Sequence, residues 1–323
     1  MPANRCGTMD RDSFTIHTEN IFTNDLKKRI ELYSHFQEMT ARYADLLSLT
    51  EYNNTLIHVD LAKCGNFLVF SPNSEGKAHL VGANFCRKRC CPMCMWRKSE
   101  RQFANCLKIA EILTPQGYRF LHLVLTVPNC PDGGKTLTEA VRLLYSSFSR
   151  FYRYADVKRA FKGVLRCLEV SYNYEKHTFH PHLHCLVAVK KSYFNDSRVY
   201  LSIDLLRKLW KKATRSERDL QVYVRAIKED DKMGFAEVSK YCVKPLDLEQ
   251  GNETENAYIL SALVYTLKGC RFTQTYGVIK EAMAQAKASD EAEPAAIEEI
   301  SKSERMFAFR YDWRVHQYVS VDF

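Results

Sequence analysis

The sequence lacks any long apolar run: its 323 residues contain no stretch of the ~18 apolar positions that a membrane-crossing helix needs. Its opening residues, MPANRCGTMDRDSF, lack the apolar core of a signal peptide, so the chain is expected to be cytoplasmic. In that reducing compartment its twelve cysteines are not expected to form disulfides, which leaves metal ligation or burial as small hydrophobes. No internal repeat is present, so solenoid and propeller architectures drop out. Histidine is scarce, ten in all, yet three of them fall at every second position in FHPHLHCLVAV, residues 179–189. Against these absences stand 46% hydrophobic and 26% charged residues, the balance of an ordinary globular protein with one large core or two modest ones.

The formal net charge is +9, and its distribution says more than its size. Residues 86–101, CRKRCCPMCMWRKSER, hold six Lys/Arg against one Glu, and DLLRKLWKKATRSER (204–218) adds six more. The segment SDEAEPAAIEEISKSE near the C-terminus is acidic instead. Such clusters suit a polyanion-binding face, but a solvated lysine-rich surface gives the same pattern, and charge alone does not choose.

Hydropathy patterning predicts a helix over 24–49, capped by Asn24 or Asp25, then short extended pieces and turns through residue 85. A helix over 95–113 ends before Pro115. YRFLHLVLTVPN (118–129) reads as a buried strand, and a PDGG turn leads into a helix near 136–154. Two strands joined near Tyr174–His177 follow, then a helix over 203–214, the strand QVYVRAIKE and the helix GFAEVSKYCVK. The order implies an α+β fold with a largely antiparallel sheet.

Side chains of a strand alternate between faces, so His180, His182 and His184 share one face while Leu183, Cys185 and Val187 occupy the other. If the preceding hairpin turns near Glu175–Lys176, paired residue numbers sum to about 351. Glu169 then lies opposite His182, with His184 diagonal to it. A carboxylate and two imidazoles in that position can hold Mn²⁺, Mg²⁺ or Zn²⁺. His180 is either a third ligand or an outer-shell group. A row of polar residues at a strand's edge is the plain alternative.

Cys91-Pro92-Met93-Cys94 has the spacing of a zinc knuckle, and Cys86 and Cys64 lie upstream within a 31-residue span. Four thiolates close a tetrahedral structural Zn²⁺ site. Cys90 competes with Cys91 for one ligand position, and the CPxC spacing favours Cys91. A loop pinned this way offers Arg87, Lys88, Arg89, Arg97 and Lys98 to phosphates. Cys106, Cys167, Cys185 and Cys242 lie in apolar settings and are expected in the core. In EVSKYCVKP (237–245), Glu237, Tyr241 and Lys244 share a helix face. A tyrosine beside a metal and lysines can serve as an oxygen nucleophile, and Lys240 and Lys244 can bind DNA by holding phosphates or neutralise developing charge, although such a helix by itself is commonplace.

Together these segments resemble the HUH endonucleases, in which His182-Leu183-His184 is the histidine–hydrophobic–histidine motif. More narrowly they resemble the rolling-circle plasmid replication initiator (Rep) proteins. FLHLVLTVPN (120–129), LEVSYN…TFHPHLHCLVAV, AEVSKYCVK, KCGNFL and the cysteine block agree in order over about residues 55–280. Cys90 departs from the family, which usually has an apolar residue there. The resemblance implies a metal-dependent nickase and strand transferase, cutting and rejoining one strand at a plasmid double-strand origin. His182, His184 and Glu169 would hold Mn²⁺ or Mg²⁺, Tyr241 would form a covalent 5′-phosphotyrosine intermediate, and Glu237 would activate water at termination. It further implies origin DNA with a single-stranded nick site in a duplex or hairpin, a host helicase and a homodimer as partners. The expected organisation is an N-terminal helical extension (1–55), a zinc-binding Cys-rich basic segment (56–105), the HUH nickase core (106–250) and a C-terminal helical segment and tail (251–323). A non-enzymatic zinc-containing DNA-binding regulator would keep the cysteines and basic clusters but leave His182 and Tyr241 idle. A related HUH transposase would share the chemistry.

Overall fold

Neither glycine nor proline interrupts residues 11–48, and the chain there forms one helix, α1 (Arg11–Ser48). The expected cap at Asn24 or Asp25 is therefore an interior position. Asp25 serves a different contact: its carboxylate accepts hydrogen bonds from Arg29 Nε and from the backbone N–H of Ala78, both at 3.0 Å. The computed structural model describes residues 11–73, 76–228, 231–239, 250–287 and 306–321.

Beyond α1 come a short helix α2 (Leu56–Lys63), where extended chain was expected, and a hairpin of β1 (Phe67–Pro72) and β2 (Ala78–Ala83). Helix α3 (Pro92–Leu113) leads to β3 (Tyr118–Thr126), then α4 (Gly134–Phe151) and the short α5 (Ala155–Ala160). Strands β4 (Gly163–Asn173) and β5 (Thr178–Lys190) form a second hairpin, followed by α6 (Ile203–Thr214), β6 (Val222–Ile227) and α7 (Lys232–Ser239). Helix α8 (Glu253–Leu267), β7 (Thr273–Tyr276), α9 (Gly277–Lys287), β8 (Phe307–Asp312) and β9 (Gln317–Val321) complete the order. No helix among the described residues is long and apolar enough to cross a membrane.

The fold is α+β, with two antiparallel sheets flanked by helices. One sheet has the order β2-β1-β8-β9 and the other β6-β3-β5-β4-β7. The β4–β5 turn is tightened by Asn173, whose Oδ1 accepts the Lys176 N–H, and by a positive φ at His177. The resulting register sets Glu169 opposite His182 and Cys167 opposite His184, as the hairpin arithmetic expects. Strand β3 pairs along the other side of β5, with Val124 opposite His184 and Thr126 opposite His182.

The two faces of the five-stranded sheet are covered differently. On one, Leu121, Leu123, Leu125, Leu183, Cys185 and Val187 pack with α4, α6 and α8 into a core that continues to the smaller sheet. On the other, Phe120, Leu165, Cys167 and Leu186 pack under α3, α7 and α9, with Phe235 of α7 set edge-on to Phe120. That apolar cover stops where His122, His184 and Glu169 follow along the same face, because period-two alternation carries one face from hydrophobic to polar residues.

Trp210 anchors α6 in the first core. It is fully buried, and its indole N–H donates to the Thr126 carbonyl at 2.7 Å. Trp210→Ala is expected to cost about 3–5 kcal/mol in urea unfolding, the range for truncating a large buried aromatic. A loss below about 1 kcal/mol would mean that the site collapses without a cavity.

Candidate metal centre

The β4–β5 register carries three ligand-type side chains to one point. His184 Nε2 lies 2.7 Å from Glu169 Oε2 and 3.0 Å from His182 Nε2, and His182 Nε2 lies 3.4 Å from the same carboxylate oxygen. All three residues are buried, Glu169 at 2% exposure. Cis donors on an octahedral ion with ~2.1 Å bonds stand ~3.0 Å apart, which this triad matches. Burial opposes ionisation of Glu169, but the His182 and His184 rings beside it outweigh burial and hold the carboxyl well below its usual range.

The tautomer of His182 follows from its other nitrogen. His182 Nδ1 sits 3.0 Å from the His180 carbonyl oxygen, which only accepts, so Nδ1 carries the proton and Nε2 offers a lone pair. Two ring nitrogens and a carboxylate facing one another in a buried pocket form a donor set for a divalent cation. His180 itself is not in this cluster. Its ring Nδ1 turns to the Asn129 side-chain oxygen, and its backbone carbonyl faces His182 Nδ1.

Sequence reasoning gave no role to His122. It is 3% exposed, and its Nε2 lies 2.9 Å from His184 Nδ1. The available signal was one histidine inside the apolar run FLHLVLT, spaced by two from Phe120 and Val124. The next strand outward adds Tyr223, 50% exposed and edge-on to His122 at 6.1 Å. His182, Tyr223 and Val124 line a cavity of about 930 Å³ whose other wall is the α6 edge, with Arg207, Lys208 and Lys211. Lys211 pairs with Asp219 at 2.8 Å and Arg207 with Asp204 at 3.3 Å, all at exposed positions.

Helix α7 packs on the same face of the sheet through Phe235 and Val238. It carries the half-buried Glu237, which is not among the groups whose ligand atoms meet at the centre. Tyr241, Lys240, Lys244 and Cys242 lie outside the described residues.

A second cluster forms where α3 begins. The sulfurs of Cys64 and Cys94 are 3.5 Å apart, those of Cys91 and Cys64 3.5 Å, and those of Cys86 and Cys94 3.7 Å. Tetrahedral zinc with ~2.3 Å Zn–S bonds requires ~3.7 Å between sulfurs, so the four residues fit it. Backbone N–H groups of Cys86 and Arg87 point at Cys64 and Cys94 sulfurs at 3.3 and 3.2 Å, which favours thiolates. Hydrogen bonds from Cys64, Cys86 and Cys91 hold the Cys94 thiol well below its ordinary value, while burial pushes Cys91 up. Cys91 is also the N-cap of α3, with Pro92 in the first turn, so the cluster and the helix start are one structure. Cys90 is outside the cluster, buried, its thiol pushed up to about 12 by burial. Cys106, Cys167 and Cys185 are buried in the core.

The basic residues around the cluster divide. Arg87 and Lys98 are exposed, with Lys98 Nζ over the Phe272 ring at 4.8 Å, and Arg97 lies over the Phe85 ring at 3.9 Å. Lys88 pairs with Asp60 at 2.8 Å, and Arg89 turns inward to the carbonyls of Leu267 and Cys270. All five, with Arg101, still line one cavity of about 290 Å³.

The geometry can be set beside known proteins. A family model described as "Replication protein" matches residues 77–319, a span that includes the Glu–His–His centre and three of the four cysteines. A "Protein rep" of Streptococcus pneumoniae serotype 2 (strain D39 / NCTC 7466) is 35% identical over 222 residues, 67% of this chain and 68% of that protein. Another, of Lactiplantibacillus plantarum, is 33% identical over 259 residues, 77% and 80% of the two chains. A third, of Staphylococcus aureus, is 32% identical over 186 residues, 57% of this chain and 80% of the relative. No solved structure matches the chain.

Proposed function

Because this chain belongs to the Replication protein family, we propose that it initiates rolling-circle replication of a plasmid by nicking one DNA strand at the double-strand origin. The observation that carries the chemistry is the meeting of Glu169, His182 and His184 beside a groove rimmed by Arg207, Lys208 and Lys211. A regulator that only binds DNA has no use for a buried, tautomer-set triad of ligand atoms.

In this reading the HUH nickase core spans 106–250, and Glu169, His182 and His184 hold Mn²⁺ or Mg²⁺. The ion supplies Lewis-acid polarisation of the scissile phosphate. Tyr241 attacks the phosphorus through its phenolic oxygen; the bond to the 3′ oxygen breaks, and a 5′-phosphotyrosyl ester and a free 3′-hydroxyl result. One phosphodiester replaces another, so rejoining by the reverse attack remains open. At termination Glu237 takes a proton from the water that hydrolyses the ester. The four cysteines would hold a structural Zn²⁺ that stiffens the Arg87 loop and the start of α3, which bears Arg97 and Lys98, for phosphate contact. Origin DNA is the substrate of this role, and a host helicase and a second copy of the chain are the further partners that the family resemblance implies.

The α6 edge gives a separate test. Replacing Lys208 and Lys211 by Ala is expected to weaken single-strand binding for every sequence alike and to lower the log–log salt slope by ~0.7 for each phosphate no longer neutralised. The Lys211–Asp219 pair is exposed and contributes little to stability, so the fold should persist. A salt slope equal to the native one would remove α6 from the DNA track.

The reaction itself is tested by covalent capture. The protein is incubated with Mn²⁺ and labelled single-stranded oligonucleotides, or the supercoiled origin, and resolved on a denaturing gel beside Tyr241→Phe. A shifted band that EDTA prevents and Tyr241→Phe lacks supports the nickase. DNA binding with no adduct on either substrate would leave a zinc-containing regulator.

A further inference from the structure

The two histidines of the metal centre are oriented by different means, and the difference gives a third histidine a role. His182 needs nothing beyond its own strand, since the His180 carbonyl accepts from its Nδ1. His184 has no carbonyl at Nδ1. Its Nδ1 instead faces the Nε2 of His122 at 2.9 Å, from the neighbouring strand β3. Two imidazole nitrogens at that distance share one proton, and which ring owns it sets which nitrogen of His184 is bare. His184 Nε2 points at Glu169 and His182, so it must be the bare one if these residues take a cation.

We infer that His122 is a positioning residue that accepts the Nδ1–H of His184 and so fixes His184 in the tautomer presenting Nε2 to the ion. This rests on the metal-centre reading above. The proton stays on His184 Nδ1, His122 carries its own proton on Nδ1, and no net charge enters the pocket. The ring centroids lie 5.1 Å apart at an interplanar angle of 20°, so the rings meet edge to edge and nearly coplanar, as an in-plane N–H···N bond requires, and that bond restrains rotation of His184 as well as its tautomer. Tyr223 closes the far side of His122 edge-on. The register brings the two rings together from separate strands. His122 pairs with Leu186 and Val124 with His184, which places the His122 ring diagonally beside His184 on the same face. An accepting partner at the second nitrogen also raises the basicity of a ligating imidazole.

The alternative is that His122 only fills volume. Glutamine and methionine separate the two, being close in size and flexibility but differing in an acceptor. Mn²⁺ is titrated calorimetrically into the full chain, with its zinc left in place, for the native protein, His122→Gln and His122→Met. Met is expected to weaken binding ~10–100-fold, the usual effect of losing an outer-shell partner, and Gln to stay within about threefold of native. Should the Met chain not fold, His122→Asn, whose shorter amide falls short of His184 Nδ1, supplies the same contrast against Gln. Equal affinity for the acceptor and non-acceptor variants overturns the positioning role while leaving the metal centre intact. A native chain that takes up no Mn²⁺ overturns the metal centre, and the role of His122 with it.

Discussion

A Glu169→Gln chain is expected to bind Mn²⁺ at least ~100-fold more weakly than the native protein, beyond the loss typical of an outer-shell change, and to lose nicking in proportion. Glutamine fits the volume of a residue that is 2% exposed, so the change removes charge rather than packing. What remains is two neutral imidazoles, a weak set for a hard cation that prefers anionic oxygen. The same change alters the acid limb of stability. Glu169 has a folded pKa below its unfolded value of ~4.3, so it contributes stability above that pH and the contribution fades as pH falls. Without an ionisable group at 169, urea stability between neutral and acidic pH should fall less steeply in the variant. Calorimetry, the adduct gel and urea titrations at two pH values read these effects. Native-like Mn²⁺ affinity in the variant would show that the carboxylate is not a ligand.

The second large effect concerns zinc. Its removal by a strong chelator, or Cys91→Ser, is expected to unfold α1, the start of α3 and the smaller sheet. Structural zinc contributes ~10–16 kcal/mol of apparent binding free energy in small domains, against ~5–15 kcal/mol for the stability of a whole protein. Cys91 is fully buried, caps α3 and contacts Thr40, whose hydroxyl in turn accepts the Met93 N–H at 3.2 Å. Breaking the cluster thus removes a ligand, a helix cap and a tie to α1 at once. Hydrogen exchange read by mass spectrometry should show protection lost in 23–113 and kept in β3, β4 and β5. Unchanged protection around Cys64–Cys94 after zinc is stripped would mean that the cysteines act as packing alone.

The parts that were legible in the sequence are those fixed by neighbours in the chain. The β4–β5 register followed from a short turn and period-two alternation, and with it the pairing of Glu169 with His182. The extent of α1 was misread because Asn24 and Asp25 have capping chemistry, yet Asp25 is engaged by Ala78 across the fold. His122 stayed hidden for a related reason. Its partner lies 62 residues along the chain and meets it only once β3 has paired with β5, a pairing that no local pattern specifies. The choice between Cys90 and Cys91 likewise depended on the direction of the α3 cap.

The pairing of β1 with β8 sets a timetable for synthesis. Phe67 pairs with Arg310 and Val69 with Ala308, and Tyr318 donates from β9 to the Gly65 carbonyl beside Cys64. A ribosome adding ~5–20 residues per second makes the β1–β2 hairpin tens of seconds before β8, the partner on the other edge of β1, emerges. Over that interval the β1 edge and the apolar side chains that β8 and β9 later cover stand open, within reach of chaperones and of other nascent chains. Production of this protein is therefore expected to respond to elongation rate and chaperone supply, and a message truncated ahead of β8 to yield a chain with an open β1 edge.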